Sequence, residues 1–118
     1  MFPSNLASGL VFLAPSVRSG ATERIAITGE VDLLSIAELE RRLRRVIAES
    51  RCRTIVLDLG GVEFLAARGV SVLLAAKLTA EEAGRDLHVT NAQGLPARVL
   101  TLLGLESWCR AEAGEDDR

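Results

Sequence analysis

The hydrophobic positions change their period along the chain, and this predicts alternating strands and helices. The apolar run Leu10–Ala14 predicts a first strand, and Pro15–Thr22 has the composition of a polar turn. Within Arg24–Thr28, Ile25 and Ile27 lie on one face, which is the two-residue period of a half-buried strand. The chain is therefore expected to begin with two strands joined by a turn.

A helical period begins after Ser35. Apolar residues then recur three or four positions apart, at Ile36, Leu39, Leu43, Val46 and Ile47. Ser35 suits the N-cap position, and Glu38, three residues later, would complete a capping box. Arginines crowd this helix and its end between positions 41 and 53. A solvated helix face explains them better than a nucleic-acid surface, because no aromatic residues are interleaved with them.

Two further elements follow the first helix. Thr54–Leu59 is apolar without alternation, which is typical of a central strand covered on both faces. Gly60 and Gly61 are expected to end this strand. A second helix is predicted over Arg68–Ala83, with Gly84 as the residue that terminates it.

The last third of the chain repeats the alternation. Leu87–Thr90 predicts a strand whose His88 points outward. Gly94–Pro96 is expected to open a third helix, since proline is favoured in a first helical turn, and Gly104 to close it. Trp108–Ala111 is predicted as a final strand.

This order of elements predicts a single α/β domain. The expected sheet is mixed and mostly parallel, with about three main helices packed on it, because the strands are joined by helical crossovers. A chain of 118 residues has the length of one domain. We place that domain at 10–112, with flexible termini at 1–9 and 113–118.

Catalytic chemistry finds no support in the sequence. His88 is the single histidine of the chain, so a hydroxyl or thiol nucleophile would have few choices of base. Metal-ligand spacings and a phosphate-binding loop are missing. Four acids lie near predicted strand ends, where capping and turn roles explain them: Glu30, Asp32, Asp58 and Glu63. We therefore expect no enzyme activity, no catalytic residue, no metal and no cofactor.

Charge and targeting signals bear on the location and the partners. The formal charge is −2, so no global attraction to nucleic acid or to an anionic membrane is expected. Neither a signal peptide nor a membrane span is visible, which predicts a cytoplasmic protein without direct membrane contact. Cys52 and Cys109 are expected to be reduced thiols in that compartment, and a transient redox pair is the alternative.

Two local motifs suggest a family. Gly29–Asp32 follows a strand and precedes a helix, and it resembles the G-E-[LIV]-D turn of STAS domains. Val62–Val70 leads into the second helix and resembles the STAS stretch of two apolar residues followed by D-S-x-G. With the order of elements, these motifs make the chain similar to the STAS domains of bacterial anti-sigma-factor antagonists.

The resemblance implies a protein that regulates transcription by binding. Members of the family bind an anti-sigma factor, usually a serine kinase of the histidine-kinase-like ATPase fold, and so release a sigma factor. That kinase inactivates them by phosphorylating a serine or threonine at the start of helix two. On this resemblance, the partner-binding residues here would be Asp32, Ala66, Ala67, Arg68, Gly69 and Val70.

The chain departs from the family at the phosphorylation site. Where members have D-S-[ST]-G, this sequence has Ala66–Gly69, with Arg68 at the position of the phosphorylated hydroxyl. Neither Ala67 nor Arg68 can accept a phosphate as serine does. The sequence predicts an antagonist without the usual phosphorylation site. The alternatives are a non-phosphorylated STAS subunit of another regulatory scaffold or lipid-transport complex, and a surface that has lost its function.

Overall fold

The computed structural model describes residues 11–109 and contains one mixed sheet with helices packed on it. The strands are β1 (Val11–Leu13), β2 (Val17–Ser19), β3 (Thr22–Val31), β4 (Thr54–Leu65) and β5 (Asp86–Thr90). The helices are α1 (Ile36–Glu49), α2 (Ala67–Glu82) and α3 (Gly94–Leu102), followed by a 3₁₀ turn at Glu106–Trp108. The expected termini at 1–9 and 113–118 lie outside the described residues.

The sheet has the order β1-β3-β4-β5, and its three central strands are parallel. Both β1 and β2 run antiparallel to β3 along the same edge. Helices α1 and α2 form the connections between the parallel strands, and they pack against each other. Because such crossovers are right-handed, both helices cover the same face of the sheet. The predicted α/β class and the mostly parallel mixed sheet are confirmed.

The core lies between this face of the sheet and the helices. The two-residue period of β3 sends Ile25 and Ile27 into it, and the helical period of α1 supplies Leu39, Leu43 and Ile47. Further members are Leu57, Leu59, Leu73, Leu87, Val89, Leu100 and Trp108. Burying an aliphatic side chain of this size stabilises a fold by about 1.5–3 kcal/mol, so this layer carries most of the stability.

The predicted end of the central strand at Gly60 and Gly61 is wrong. Strand β4 continues through both glycines to Leu65, opposite a stretch of β3 where the register shifts. A Cβ atom at Gly61 would lie 2.5 Å from Thr28 Cγ2, so only glycine permits this approach. The glycines accommodate an irregular pairing, which glycine inside a strand often marks.

The predicted capping box at the start of α1 is also wrong. Ser35 holds the N-cap position without a side-chain cap bond. Its Oγ instead donates to Glu30 O at 2.8 Å and accepts from Asp32 N at 3.0 Å. Glu38 bonds Arg42 Nε at 2.7 Å and also pairs with Arg41. The serine therefore organises the loop before the helix.

Three smaller expectations also change. The segment predicted as a polar turn contains the short strand β2. Where a last strand was expected from Trp108, a 3₁₀ turn is found, and Cys109 forms one parallel bridge with Val89. Positions 110 and 111 lie outside the described residues. His88 is not a plain surface residue, since only 13% of its side chain is accessible.

Within residues 11–109, no helix combines the length and the apolar character needed to cross a membrane.

Candidate partner-binding site

Strand register brings the two sequence motifs together at the carboxyl end of the parallel strands. Val31, at the end of β3, pairs with Leu65, at the end of β4. Ala66 N then donates to Val31 O at 2.8 Å. The loop that follows β3 therefore lies beside the first turn of α2. The carboxyl ends of parallel strands are a common place for binding surfaces, because the connecting loops meet there.

Local hydrogen bonds order the loop from Asp32 to Ser35. Asp32 Oδ1 accepts from Leu34 N at 3.0 Å, as aspartate commonly does in a turn. Asp32 O accepts from the amides of Ser35 and Ile36 at 3.0 and 3.1 Å. Since the Asp32 side chain closes this turn, its first role is to hold the neighbouring leucines in place.

The first turn of α2 is held against β3 by close packing. A Cβ atom at Gly69 would lie 2.5 Å from Val31 Cγ1 and 3.1 Å from Leu65 Cδ1, so this position requires glycine. Val70 is 1% exposed and belongs to the core. Of the residues expected to bind a partner, Gly69 and Val70 are therefore buried. They support the surface from beneath, because the helix could not approach β3 otherwise.

Ala66, Ala67 and Arg68 lie at the outer side of the same turn. Ala66 is the N-cap residue in an extended conformation, with no side-chain cap bond, and it is half-buried. Ala67 and Arg68 are exposed, and within residues 11–109 Arg68 forms no ion pair. The positive end of the helix dipole is thus accompanied by a fixed cation instead of a carboxylate or a hydroxyl.

Three exposed apolar side chains lie in the segments next to the two motifs, in the loop after β3 and near the end of β4, and no period in the sequence predicted them. Leu33 is 68% exposed, Leu34 77% and Phe64 43%. An apolar leucine pair in a turn between a strand and a helix, outside either period, was the signal that could have found them. We use the name carboxyl-end surface for Asp32, Leu33, Leu34, Phe64, Ala67 and Arg68. Exposed apolar residues that lie together on one surface often mark interaction sites.

Asp58, in the middle of β4, is the centre of a network of polar groups. Asp58 accepts from Arg24 Nη2 at 2.5 Å, from Gly60 N at 2.8 Å and from Asn91 Nδ2 at 3.2 Å. Burial would raise the pKa of Asp58, but the amides of Gly60 and Asn91 and the Arg24 guanidinium together lower it below its ordinary value. All of these partners stabilise the carboxylate, which suits a structural ion pair better than an acid that must exchange protons.

The acids predicted near strand ends do not assemble with other ligands. Across residues 11–109, no three His, Cys, Asp or Glu side chains form a group that could hold a metal ion.

The two cysteines are separate free thiols. Cys109 lies beside Val89, which pairs with Leu57 in the middle of β4, whereas Cys52 precedes the amino end of β4. At about 3.3 Å per strand residue and about 4.8 Å between strands, their Cα atoms are more than ~10 Å apart. A disulfide needs about 7 Å or less. A redox pair would require the sheet edge to rearrange and stays a prediction.

The environment of Cys109 also disfavours a reactive thiolate. Burial, and then the negative charge of Glu106, raise the pKa of its thiol. A higher pKa lowers the fraction of the nucleophilic thiolate at neutral pH.

Comparison with known proteins identifies the family. The model of the family described as Mlab, STAS domain, matches residues 16–109. The chain belongs to the STAS domain family. A curated relative, the anti-sigma-F factor antagonist RsfB of Mycobacterium tuberculosis, is 33% identical over 88 residues, which are 73% of this chain and 69% of the relative. The resemblance predicted from the two motifs is confirmed.

Solved structures have the same STAS fold. An anti-sigma factor antagonist from Mycobacterium paratuberculosis superposes with a TM-score of 0.78 at 23% identity, over 94% of this chain and 92% of that chain. The anti-sigma factor antagonist SpoIIAA in its unphosphorylated form gives a TM-score of 0.72 at 20% identity, covering 91% of each chain. At these identities the likeness concerns the fold.

Proposed function

We propose that this STAS protein is an anti-sigma-factor antagonist that lacks the usual phosphorylation site. In this proposal it binds an anti-sigma factor in the cytoplasm through the carboxyl-end surface and thereby releases a sigma factor. The observation that carries the proposal is the exposure of Leu33, Leu34 and Phe64 in the two segments that meet next to the first turn of α2, where Ala66 N donates to Val31 O. The relative in M. tuberculosis, named an anti-sigma-F factor antagonist, supports the same function.

The chemistry of the surface suits a protein partner. The leucines and Phe64 offer apolar area that a partner would cover, and the core of a protein interface is usually apolar with few charges. Arg68 adds a permanently charged planar guanidinium that can bond a carboxylate with two parallel hydrogen bonds. We therefore expect an apolar pocket and a nearby acid on the anti-sigma factor.

The proposal also concerns regulation. A kinase of the histidine-kinase-like ATPase fold remains the expected partner, but Ala67 and Arg68 carry no hydroxyl that it could phosphorylate. A phosphate would place nearly two negative charges at the start of α2 and repel an acidic partner. Without that input, binding by this chain would be constitutive with respect to the kinase.

A phosphorylation assay with a restored acceptor tests this regulation. The wild-type protein, incubated with the cognate kinase and ATP, should acquire no phosphate by mass spectrometry. The variant Arg68→Ser should be phosphorylated and should then lose the partner. A wild-type phosphate on Ser71, which is exposed in the second turn of α2, would contradict the proposal by showing that the site had moved.

Calorimetry and transcription assays test the function itself. Purified protein should bind the anti-sigma factor and restore transcription that depends on the inhibited sigma factor. Binding without restored transcription would contradict antagonism while leaving the interaction surface intact.

A STAS subunit of a sensory scaffold or a lipid-transport complex would also need no hydroxyl at positions 67 and 68. A pull-down from the native cell separates the two functions. Recovery of a small ATPase-fold kinase supports the antagonist, and recovery of scaffold or transporter subunits supports the alternative.

A further inference from the structure

A groove of about 380 Å³ lies between α1 and the edge of the sheet formed by β1 and β2. Its floor is apolar, since Ile25 is 1% exposed and the half-buried Leu13 and Val46 flank it. The link between β1 and β2, from Ala14 to Ser16, forms one wall. This volume lies at the lower end of the range of small-molecule sites, which is about 300–1,000 Å³.

The opposite wall is cationic. Arg41, Arg42 and Arg45 of α1 line the groove together with Glu38. Arg42 and Arg41 both bond the Glu38 carboxylate, while Arg45 forms no ion pair within the described part of the chain. The pKa of Glu38 is lowered, mainly by the hydrogen bond from Arg42, so its carboxylate is ionised at neutral pH. Three guanidiniums against one carboxylate leave an excess of two positive charges.

Helix stability alone does not explain this arrangement. The arginine at position 44 has its own partner, Glu40, at 2.8 Å, and lines a different groove between α1 and α2. That pair and Glu38–Arg42 have the spacing that stabilises an isolated helix. Within residues 11–109 Arg45 takes part in no such pair, and it lines the groove together with Ile25 and Val46. A solvated helix face thus explains the presence of Arg44, but it does not explain why Arg45 lines the groove.

We propose that this groove binds an organic anion that carries an apolar group. Guanidinium groups bond carboxylate, sulfonate and phosphate oxygens with matching geometry, and the floor accepts a hydrocarbon or aromatic part. An inorganic anion would leave the apolar floor uncovered, and a neutral hydrophobic molecule would leave the arginines without a counter-charge. The site is independent of the proposed function, since no residue of the carboxyl-end surface lines it.

Anilinonaphthalene sulfonate, an aromatic anion, is a suitable probe, with phenylnaphthylamine as its uncharged analogue. A titration of the full chain followed by amide NMR should shift Ala14, Ser16 and Val46 most strongly. The uncharged analogue should bind about tenfold more weakly or worse, because it cannot use the arginines. Shifts centred on another surface, or equal affinity for the two probes, would overturn the proposal.

Matched variants test whether the affinity for the sulfonate depends on the arginines on the groove side of α1. Arg41→Ala combined with Arg45→Ala should raise the dissociation constant of the sulfonate by about tenfold or more. Arg44→Ala, one position from Arg45 but outside the groove, should change it less than about twofold. The amide spectrum reports whether each variant is folded. If the double variant does not fold, the single variant Arg45→Glu takes its place. Equal binding by wild type and the Arg45 variants would refute the site.

Discussion

The two ends of the parallel sheet differ: polar side chains are buried and hydrogen-bonded at one end, and apolar side chains are exposed to solvent at the other. At the amino end, Ser50 Oγ donates to Glu23 Oε1 at 2.6 Å and accepts from Cys52 N at 3.1 Å. Glu23 is 5% exposed and Ser50 3%. At the carboxyl end, Leu33 and Leu34 are held in a turn with most of their side chains in solvent. One end is closed by internal hydrogen bonds, and the other is left open.

This difference separates stability from binding. A buried, hydrogen-bonded carboxylate contributes to the stability of the fold and not to partner binding. Removing it leaves its hydrogen-bond partners unsatisfied. Exposed leucines contribute little to folding, and in the proposed function a partner covers them. Substitutions at the amino end should therefore change the free energy of unfolding, and those at the carboxyl end should change affinity.

The largest effect is expected from the leucine pair. Leu33→Asp combined with Leu34→Asp should weaken binding to the anti-sigma factor about 100-fold or more, since charged residues would enter the apolar centre of the interface. The thermal midpoint should stay close to wild type, because both side chains are exposed. Calorimetric titration and thermal melts measure the two effects. Leu78→Asp, at an exposed leucine far along α2, is the matched control and should bind normally.

The amino end should give the opposite result. Glu23→Ala should lower the free energy of unfolding by about 2 kcal/mol, because the buried Ser50 hydroxyl loses its acceptor. Affinity for the partner should be unchanged. Glu63→Ala, at an exposed acid on β4, should change stability by less than about 0.5 kcal/mol. Urea denaturation of wild type and the two variants measures these free energies of unfolding. Equal stability of the two variants would contradict the contrast between the two ends of the sheet.

Arg68 provides a smaller effect at the carboxyl end, through its charge and its planar hydrogen-bond donors. Arg68→Ala should weaken binding by about 1–3 kcal/mol if the guanidinium meets a carboxylate, without a change in thermal stability. Arg68→Lys should recover only part of the loss, since lysine lacks the planar pair of donors. An unchanged dissociation constant for Arg68→Ala would favour a surface without function at this position.

The smallest effect concerns pH at the amino end. Hydrogen bonds from Ser16 and Ser50, with help from Arg18 and Arg85, lower the pKa of Glu23 below its unfolded value. A depressed carboxyl pKa stabilises the fold above the unfolded pKa, and this stabilisation is lost as the pH falls towards the folded pKa. The difference in unfolding free energy between wild type and Glu23→Gln should therefore stay nearly constant from pH 7 down to about 4.5, roughly the unfolded pKa of a glutamate, and shrink as the pH is lowered further. A difference independent of pH would argue against an ionised Glu23 in the fold.

Periodicity was sufficient to predict the elements that build the core. The alternation around Ile25 and the helical spacing from Leu39 to Ile47 each describe one face of one element, and that information is local. The motif residues were also found locally, since Gly69 and its apolar neighbours are contiguous in sequence. Composition could not show that Gly60 and Gly61 continue β4, because the reason is the nearby Thr28 on another strand.

The sequence by itself determined the α/β order, the family and the absence of a hydroxyl at positions 67 and 68, because each depends on residue type and local spacing. Only the tertiary structure decided which motif residues form a surface. Packing against Val31 buries Gly69, and the turn closed by Asp32 leaves Leu33 and Leu34 in solvent. The groove beside Arg45 likewise exists only because the β1–β2 edge and α1 meet across Ile25. Burial and charge balance at such places depend on residues distant in sequence, which no local pattern contains.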